Sequence, residues 1–190
     1  MPDANALTIA ETDVASAWNV RGDPARAAFV AATKTALGVP LPMRPNASAR
    51  GDAGALLWLG PRSWLFVAGR PVASGAFDIA RKALNEAEGA LFDVSSSYVG
   101  WTISGAASAR VLNRGCPLDL HPRVFRPGQC VESLLGHVSA IFYRPDDRDA
   151  FIVMVARSFA ADAWDQLAGY AATDGYRIDP PSAFGDGGSN

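Results

Sequence analysis

The sequence predicts an α+β protein made of two pseudo-equivalent lobes, each an antiparallel sheet backed by helices. Short apolar runs of strand length alternate with longer stretches of helical period. Tight-turn residues join neighbouring strands, as in Gly-Pro-Arg-Ser at 60–63. The layout strand, turn, strand, helix also occurs twice, in GALLWLGPRSWLFVAGRPVASGAFDIARKAL and in VSAIFYRPDDRDAFIVMVARSFAADAWDQLAG, each with a helix some way upstream. The two copies share few letters; what repeats is the pattern.

In chain order, GDPARAAFVAATKTALGVP reads as a helix. Asp23 is placed to cap it, Pro24 suits its first position, and Gly38 with Pro40 closes it. Phe29, Ala32, Ala36 and Leu37 share its inner face. Residues 41–54, LPMRPNASARGDAG, read as a loop. Strands are expected at Leu56–Leu59 and Trp64–Ala68, then a helix from Phe77 to Glu88 burying Phe77, Ala80, Leu84 and Ala87. The second lobe has strands at Ala90–Ser95 and Tyr98–Ser104, a short helix Ala106–Arg114, and strands at Cys130–Leu135, Val138–Arg144 and Phe151–Ala156. A last helix, Phe159–Ala172, is capped by Ser158 and buries Ala163, Trp164, Leu167 and Tyr170. Residues 1–16 are thus an N-terminal extension, 17–89 the first lobe, 90–178 the second, and 179–190 a flexible tail.

Composition narrows the function. The 190 residues are 49% hydrophobic and 19% charged, enough apolar surface for a folded core. A net charge of −2 without a Lys/Arg run gives no footprint for nucleic acid. No apolar run reaches the roughly 18 residues that cross a bilayer, and MPDANALTIAETD has neither the basic nor the apolar part of a signal peptide. Two cysteines make no disulfide framework. A reduced, cytoplasmic protein is expected.

The residues that look chemical lie close together in NRGCPLDLHPRVFRPGQC, 113–130. Its spacings, C-x4-H, H-x8-C and then C-x6-H to His137, lack the close pairs by which one turn presents two ligands to zinc. Cys116 follows a helix C-terminus, the wrong end of the dipole to activate a thiol, so a packed, unreactive thiol is expected. No phosphate-cradling glycine motif or nucleophile elbow occurs. Asp146, Asp147 and Asp149 read as a solvated hairpin tip. Five tryptophans, Trp18, Trp58, Trp64, Trp101 and Trp164, are more than a small two-lobed fold easily buries, and two readings stand equally: a partner surface, or a core that takes them all.

NRGCPLDLHPRVFRPGQCVESLLGHVSAIFYR, followed by FIVMVARSFAADAWDQL, resembles the gamma-subunit family of heterotetrameric sarcosine oxidases. VRGD at 20–23, ALGVPLPMRPN at 36–46, LWLGPRSWLFVA at 57–68 and FDVSSSYVGWTISG at 92–105 agree, so the likeness covers about residues 17–172. The resemblance implies a fold similar to that of the folate-binding aminomethyltransferases and a place beside alpha, beta and delta subunits. It also implies that FAD, FMN, NAD, zinc and tetrahydrofolate are held by those partners, with no cofactor on this chain. The whole complex would demethylate sarcosine oxidatively, release hydrogen peroxide and pass the one-carbon unit to tetrahydrofolate.

Two departures from related motifs bear on catalysis. The aminomethyltransferases carry Gly-Gly-x-x-Asp-Asp where this chain runs Leu135-Gly136-His137-Val138-Ser139-Ala140-Ile141, so Ser139 and Ala140 stand where acids would serve the folate. The related iron–sulfur maintenance motif Lys-Gly-Cys-[Phe/Tyr]-x-Gly-Gln-Glu is matched by Arg114-Gly115-Cys116-Pro117-Leu118 only at its glycine and cysteine. No catalytic, cofactor or metal residue is therefore expected. The 113–130 signature is read as a helix end and a proline-bent connector, and the expected partner contacts are Trp64, Pro117, His121, Pro122 and Phe125. The competing readings are a stand-alone folate-dependent aminomethyltransferase and a module that binds folate without chemistry. Homo-oligomers of the isolated chain remain open.

Overall fold

A computed structural model describes residues 7–145 and 149–185. In chain order its elements are β1 (Thr8–Asp13), β2 (Ser16–Arg21), α1 (Ala27–Leu37), β3 (Ser48–Gly51), β4 (Gly54–Gly60), β5 (Ser63–Ala68), α2 (Ala76–Glu86) and β6 (Ala90–Asp93). They continue with β7 (Tyr98–Ser104), α3 (Ser108–Leu112), β8 (Gln129–Leu135), β9 (Val138–Arg144), β10 (Ala150–Ala156), α4 (Ala160–Ala172) and β11 (Arg177–Ala183). The fold is α+β with two largely antiparallel sheets, ordered β3-β4-β5-β2-β6 and β11-β1-β7-β10-β9-β8.

The chain divides into two units. One comprises residues 14–96 with 183–185 and carries α1 and α2; the other comprises 7–13 with 97–182 and carries α3 and α4. Their boundary falls after Ser96 and not after residue 89, and residues 8–13 are not a bare extension. Strand β1 pairs with β7, whereas β2, two residues further on, pairs with β5 and β6. Likewise β6 pairs with β2 while β7, a few residues later, pairs with β1 and β10. Each repeat thus gives its first strand to the other repeat's sheet.

In the α1/α2 unit, Trp18, Phe29, Leu56, Trp64, Phe66, Ala80, Leu84 and Leu91 form one buried cluster. The Trp18 ring lies 5.2 Å from Phe66 and 5.4 Å from Phe77, and Phe29 lies 5.9 Å from Trp64. In the α3/α4 unit, Ile9, Trp101, Ile103, Phe142, Phe151, Val153, Ala163 and Leu167 do the same. Alternation along the strands produces both clusters, since every second side chain of a strand faces the helices. Trp18, Trp64 and Trp101 are buried, and Trp58 and Trp164 are half-buried, so the tryptophans mainly build the interior.

Several elements differ from the sequence expectation for local reasons. Helix α1 starts at Ala27, not at residue 24, because the Asp23 carboxylate accepts the Ala25 N–H at 3.0 Å and folds Pro24 and Ala25 into a turn of their own. Its C-terminus is as expected: Gly38 takes φ 66° and donates its N–H to the Lys34 carbonyl. Ser158 does not cap α4; it lies within a 3-10 turn, Arg157–Phe159, that leads into the helix. The loop 41–54 contains β3. The tail is not loose from residue 179, because β11 runs to Ala183, with Pro180 and Pro181 tolerated on an outer strand. Asp146 and Asp147 lie outside the described residues; the neighbouring Asp149 carbonyl accepts the Gly105 N–H at 2.8 Å.

A Cβ placed on Gly89 would come within 2.7 Å of the buried Phe29 ring and 3.0 Å of the Arg21 carbonyl oxygen. Neither neighbour has room to retreat. Gly89→Ala is expected to destabilise the protein by about 1–3 kcal/mol through overpacking, whereas Gly169→Ala, on an open helix surface, gains up to about 1 kcal/mol. Urea unfolding of the two variants checks both signs.

Two half-buried carboxylates also carry a pH signature. The Ala25 N–H, aided by Arg62, holds Asp23 below the ordinary aspartate value, and the Arg177 hydrogen bond does the same for Asp179. A depressed folded pKa contributes stability above the unfolded value and loses it as pH falls through the folded one. Carboxyl NMR titration should therefore find both midpoints below that of an unstructured aspartate. A midpoint at or above it would show that the Asp23 turn is not formed.

Candidate partner-docking surface

The chain from Gly115 to Gly128 connects α3 to β8, and nearly every inward group in it is tied down. Cys116, Leu120 and Phe125 are buried in the cluster of the α3/α4 unit. Asn113 closes the first half: its Nδ2 donates to the Leu118 carbonyl at 2.9 Å, and its Oδ1 accepts the Leu120 N–H at 3.1 Å. The Asp119 carboxylate accepts the His121 N–H at 2.8 Å, and the His121 carbonyl accepts the N–H groups of Val124 and Phe125. Gly128, at φ 76°, turns the chain into β8 and donates to the Arg144 carbonyl at 2.7 Å.

Beneath the connector lies Arg144, only 4% exposed. Its NH1 donates to the Phe125 carbonyl at 2.8 Å and to the Pro122 carbonyl at 3.3 Å. Its guanidinium carbon sits 5.9 Å from the Phe151 ring centroid, and that ring stacks at 6.1 Å on Phe125. A buried cation needs acceptors to replace water. Here backbone carbonyls and an aromatic face supply them, and the connector must keep its path to do so.

The five residues expected at a partner interface separate under this geometry. Trp64 is fully buried in the α1/α2 unit, its Nε1 donating to the Pro42 carbonyl at 2.9 Å, and so it faces no partner. Phe125 is buried as well, serving as the plug that places its carbonyl on Arg144. Pro117 and His121 are exposed and Pro122 half-buried, all on the connector. Beside them stand Leu118, 40% exposed, and Val124, 56% exposed, which the sequence reading passed over. A signal existed: both are apolar residues in a polar, proline-rich loop, without the periodicity that would bury them.

Cys116 and Cys130 are both buried, with the Cys116 thiol 3.7 Å from the Ser133 hydroxyl. Such a thiol behaves as a small apolar side chain with a weak hydrogen bond. His137 lies at the β8–β9 turn, its Nε2 2.7 Å from the Asp162 carboxylate. Ser139 pairs with Leu134 across the hairpin, and Glu132 pairs with Ile141. A groove of about 450 Å³ on this sheet is lined by Tyr98, Glu132, Leu134, Ser139, Ile141 and Met154, among others. Glu132 is thus a carboxylate near the position where the aminomethyltransferase motif would supply one, but on the neighbouring strand.

Comparison with known proteins follows the same lines. Residues 21–173 match the family described as sarcosine oxidase, gamma subunit. The chain is 32% identical to a sarcosine oxidase subunit gamma from Arthrobacter sp. over 151 residues, covering 79% of this chain and 73% of the relative. It is 30% identical over 151 residues to the protein of that name from Corynebacterium sp. (strain P-1), with the same coverage. The fold is similar to a chain of heterotetrameric sarcosine oxidase from Corynebacterium sp. U-96, with a TM-score of 0.81, 26% identity, and coverage of 92% of this chain and 88% of that one. It also resembles glycine cleavage system aminomethyltransferase T from Bartonella henselae, at TM-score 0.66 and 16% identity over 93% of this chain and 48% of that one, a likeness of fold alone. With the match running from the end of β2 through α4 and including the connector, the chain belongs to the sarcosine oxidase gamma subunit family.

Proposed function

We propose that the chain is the gamma-type subunit of a heterotetrameric sarcosine oxidase-like complex, with no catalytic residue of its own. It docks mainly on the large alpha subunit, near that subunit's folate-binding part, alongside beta and delta subunits. The complex converts sarcosine, dioxygen and tetrahydrofolate to glycine, hydrogen peroxide and 5,10-methylenetetrahydrofolate in the cytoplasm. FAD, FMN, NAD, zinc and tetrahydrofolate are held by the partners.

One observation supports this most: a buried arginine and a side-chain amide are committed to holding a loop that presents Pro117, Leu118, His121 and Val124 to solvent, interspersed with the charged Asp119, Arg123 and Arg126. Such a surface is pre-organised, so binding loses little loop entropy. Apolar anchors of this kind carry much of the energy of an interface. A second reading, folate binding in the groove beside Glu132, is favoured by that carboxylate alone.

Co-expression with alpha, beta and delta subunits tests the assignment. The wild-type chain should co-purify with them, and the pair Leu118→Glu and Val124→Glu should lower recovery of the complex at least tenfold. The melting temperature of the isolated chain should stay unchanged. Normal assembly of the double variant would remove the connector from the interface. Arg144→Met should cost about 2–4 kcal/mol in urea unfolding, since two carbonyls lose their donor. The isolated chain should neither oxidise sarcosine nor bind tetrahydrofolate; micromolar binding abolished by Glu132→Gln would establish the second reading instead.

A further inference from the structure

A cavity of about 400 Å³ in the α1/α2 unit is lined by the end of α1, the β3–β4 turn and the chain leading from β5 into α2. Its apolar wall includes Trp18, Leu37, Phe66 and Val72, the first three almost wholly buried. Two charged residues share that lining: Asp52 of the β3–β4 turn and Arg70 of the chain after β5. Both are exposed, and among the described residues neither pairs with the other or with a third group. The volume falls within the range of small-molecule sites.

Trp18 distinguishes this cavity from a plain apolar dent. The other buried tryptophan of the unit, Trp64, donates its indole N–H to the Pro42 carbonyl at 2.9 Å. Trp18 is 3% exposed, and its N–H has no acceptor among the described residues. A donor taken out of water needs an acceptor, and the cavity that this ring lines has room for one.

Two helix ends add polarity of opposite sign. Helix α2 starts after Gly75, at φ 78°, with no side-chain cap, and the acid of its first turn, Asp78, is bonded to Arg81 at 2.9 Å. Ala76, its first residue, lines the cavity, so the positive end of α2 is part of the wall. Ala36, Leu37 and Gly38 line it as well, and they carry the negative end of α1. Donors with positive charge and acceptors with negative charge thus share one apolar cavity. A simple anion would be repelled by Asp52, and a simple cation would leave Arg70 and the indole N–H unanswered. A molecule with both charges satisfies every group.

We propose that this cavity binds an amino acid with an apolar side chain, in its zwitterionic form. The carboxylate accepts from Arg70, the Trp18 indole N–H and the first amides of α2. The ammonium group donates to Asp52 and the last carbonyls of α1, and the side chain rests on Leu37, Phe66 and Val72. This inference stands apart from the subunit reading, which concerns the connector.

Titration of the ¹⁵N-labelled full chain with L-phenylalanine, followed by NMR, tests it. The Trp18 indole N–H and the Phe77 and Asp78 amides should shift together, with one dissociation constant. Three probes should each bind at least tenfold more weakly: 3-phenylpropionate without the ammonium group, phenethylamine without the carboxylate, and glycine without the side chain. Arg70→Met should weaken phenylalanine at least tenfold and leave phenethylamine unchanged. Asp52→Asn should weaken phenylalanine as much and leave 3-phenylpropionate no weaker. Both positions are exposed, so the melting temperature without ligand should match the wild type. Lys82→Met, at an exposed cation of α2 outside the cavity lining, should change no affinity. Equal binding of phenylalanine and the three probes, or phenylalanine affinity that survives Arg70→Met and Asp52→Asn, overturns the proposal. So does a Trp18 resonance that stays fixed with phenylalanine at its solubility limit. Each of these outcomes leaves the subunit reading intact.

Discussion

The connector between α3 and β8 depends on a buried positive charge. Arg144 stands at the end of β9 with almost no access to water, its NH1 shared between the carbonyls of Pro122 and Phe125. Desolvating a guanidinium costs several kcal/mol unless strong acceptors surround it. Those acceptors come from a stretch of chain about twenty residues earlier, which must curl back over the sheet to deliver them. The curl drives Phe125 onto Phe151 and leaves Leu118 and Val124 outside. Because these carbonyls would be left without a donor if the charge were absent, it allows few alternative loop paths. In this protein the charge specifies which apolar residues are hidden and which are shown.

A second constraint comes from the exchange of strands. Because β1 lies in the sheet of the α3/α4 unit and β6 in that of the α1/α2 unit, neither sheet is complete from one continuous repeat. This explains why a boundary drawn from the repeat pattern falls near residue 89 while the units divide after Ser96. The pattern marks where a repeat begins; the unit is defined by where its strands pair. Pairing is non-local, and nothing in ALFD or TIAETD states which partner each strand will take.

The elements legible in the sequence are those with strong local signals. Gly38 closes α1, Tyr98–Ser104 and Val138–Arg144 carry dense apolar runs between turn residues, and each was readable to the residue or nearly so. Those that escaped carry weak or contrary ones. Strand β3 is Ser-Ala-Arg-Gly, without an apolar face, and holds its place by pairing with β4. Strand β11 contains two prolines, which read as a tail until an outer position in a sheet makes them harmless. Strand β2 does alternate, with Trp18 and Val20 inward, but the capping signals of α1 follow it at once. Along the connector and at Trp64 the sequence misjudged which side chains face outward. Trp64 and Phe125 have the residue types of an interface anchor, and those are also the types of a core. What decides between them is a distant partner: Pro42 for the indole N–H, Arg144 for the phenylalanine carbonyl.

The same non-locality bears on chemistry at the β8–β9 hairpin. Losing acids at Ser139 and Ala140 would matter little if a neighbouring strand restored one in place, and Glu132 is the candidate. Its register argues against equivalence. Ser139 faces Leu134 while Glu132 faces Ile141, so Glu132 and Ser139 are diagonal neighbours, typically about 7–8 Å apart. A group that moves a proton must approach to about 2.6–3.2 Å of the atom it serves. A ligand seated as the aminomethyltransferase motif implies would leave Glu132 out of reach, and a ligand moved toward Glu132 would give up the hairpin backbone that the motif brings to it. Glu132 therefore does not occupy the place of the acids in that motif. Docking through the connector, as proposed above, needs only shape and apolar area, and neither depends on where that carboxylate stands.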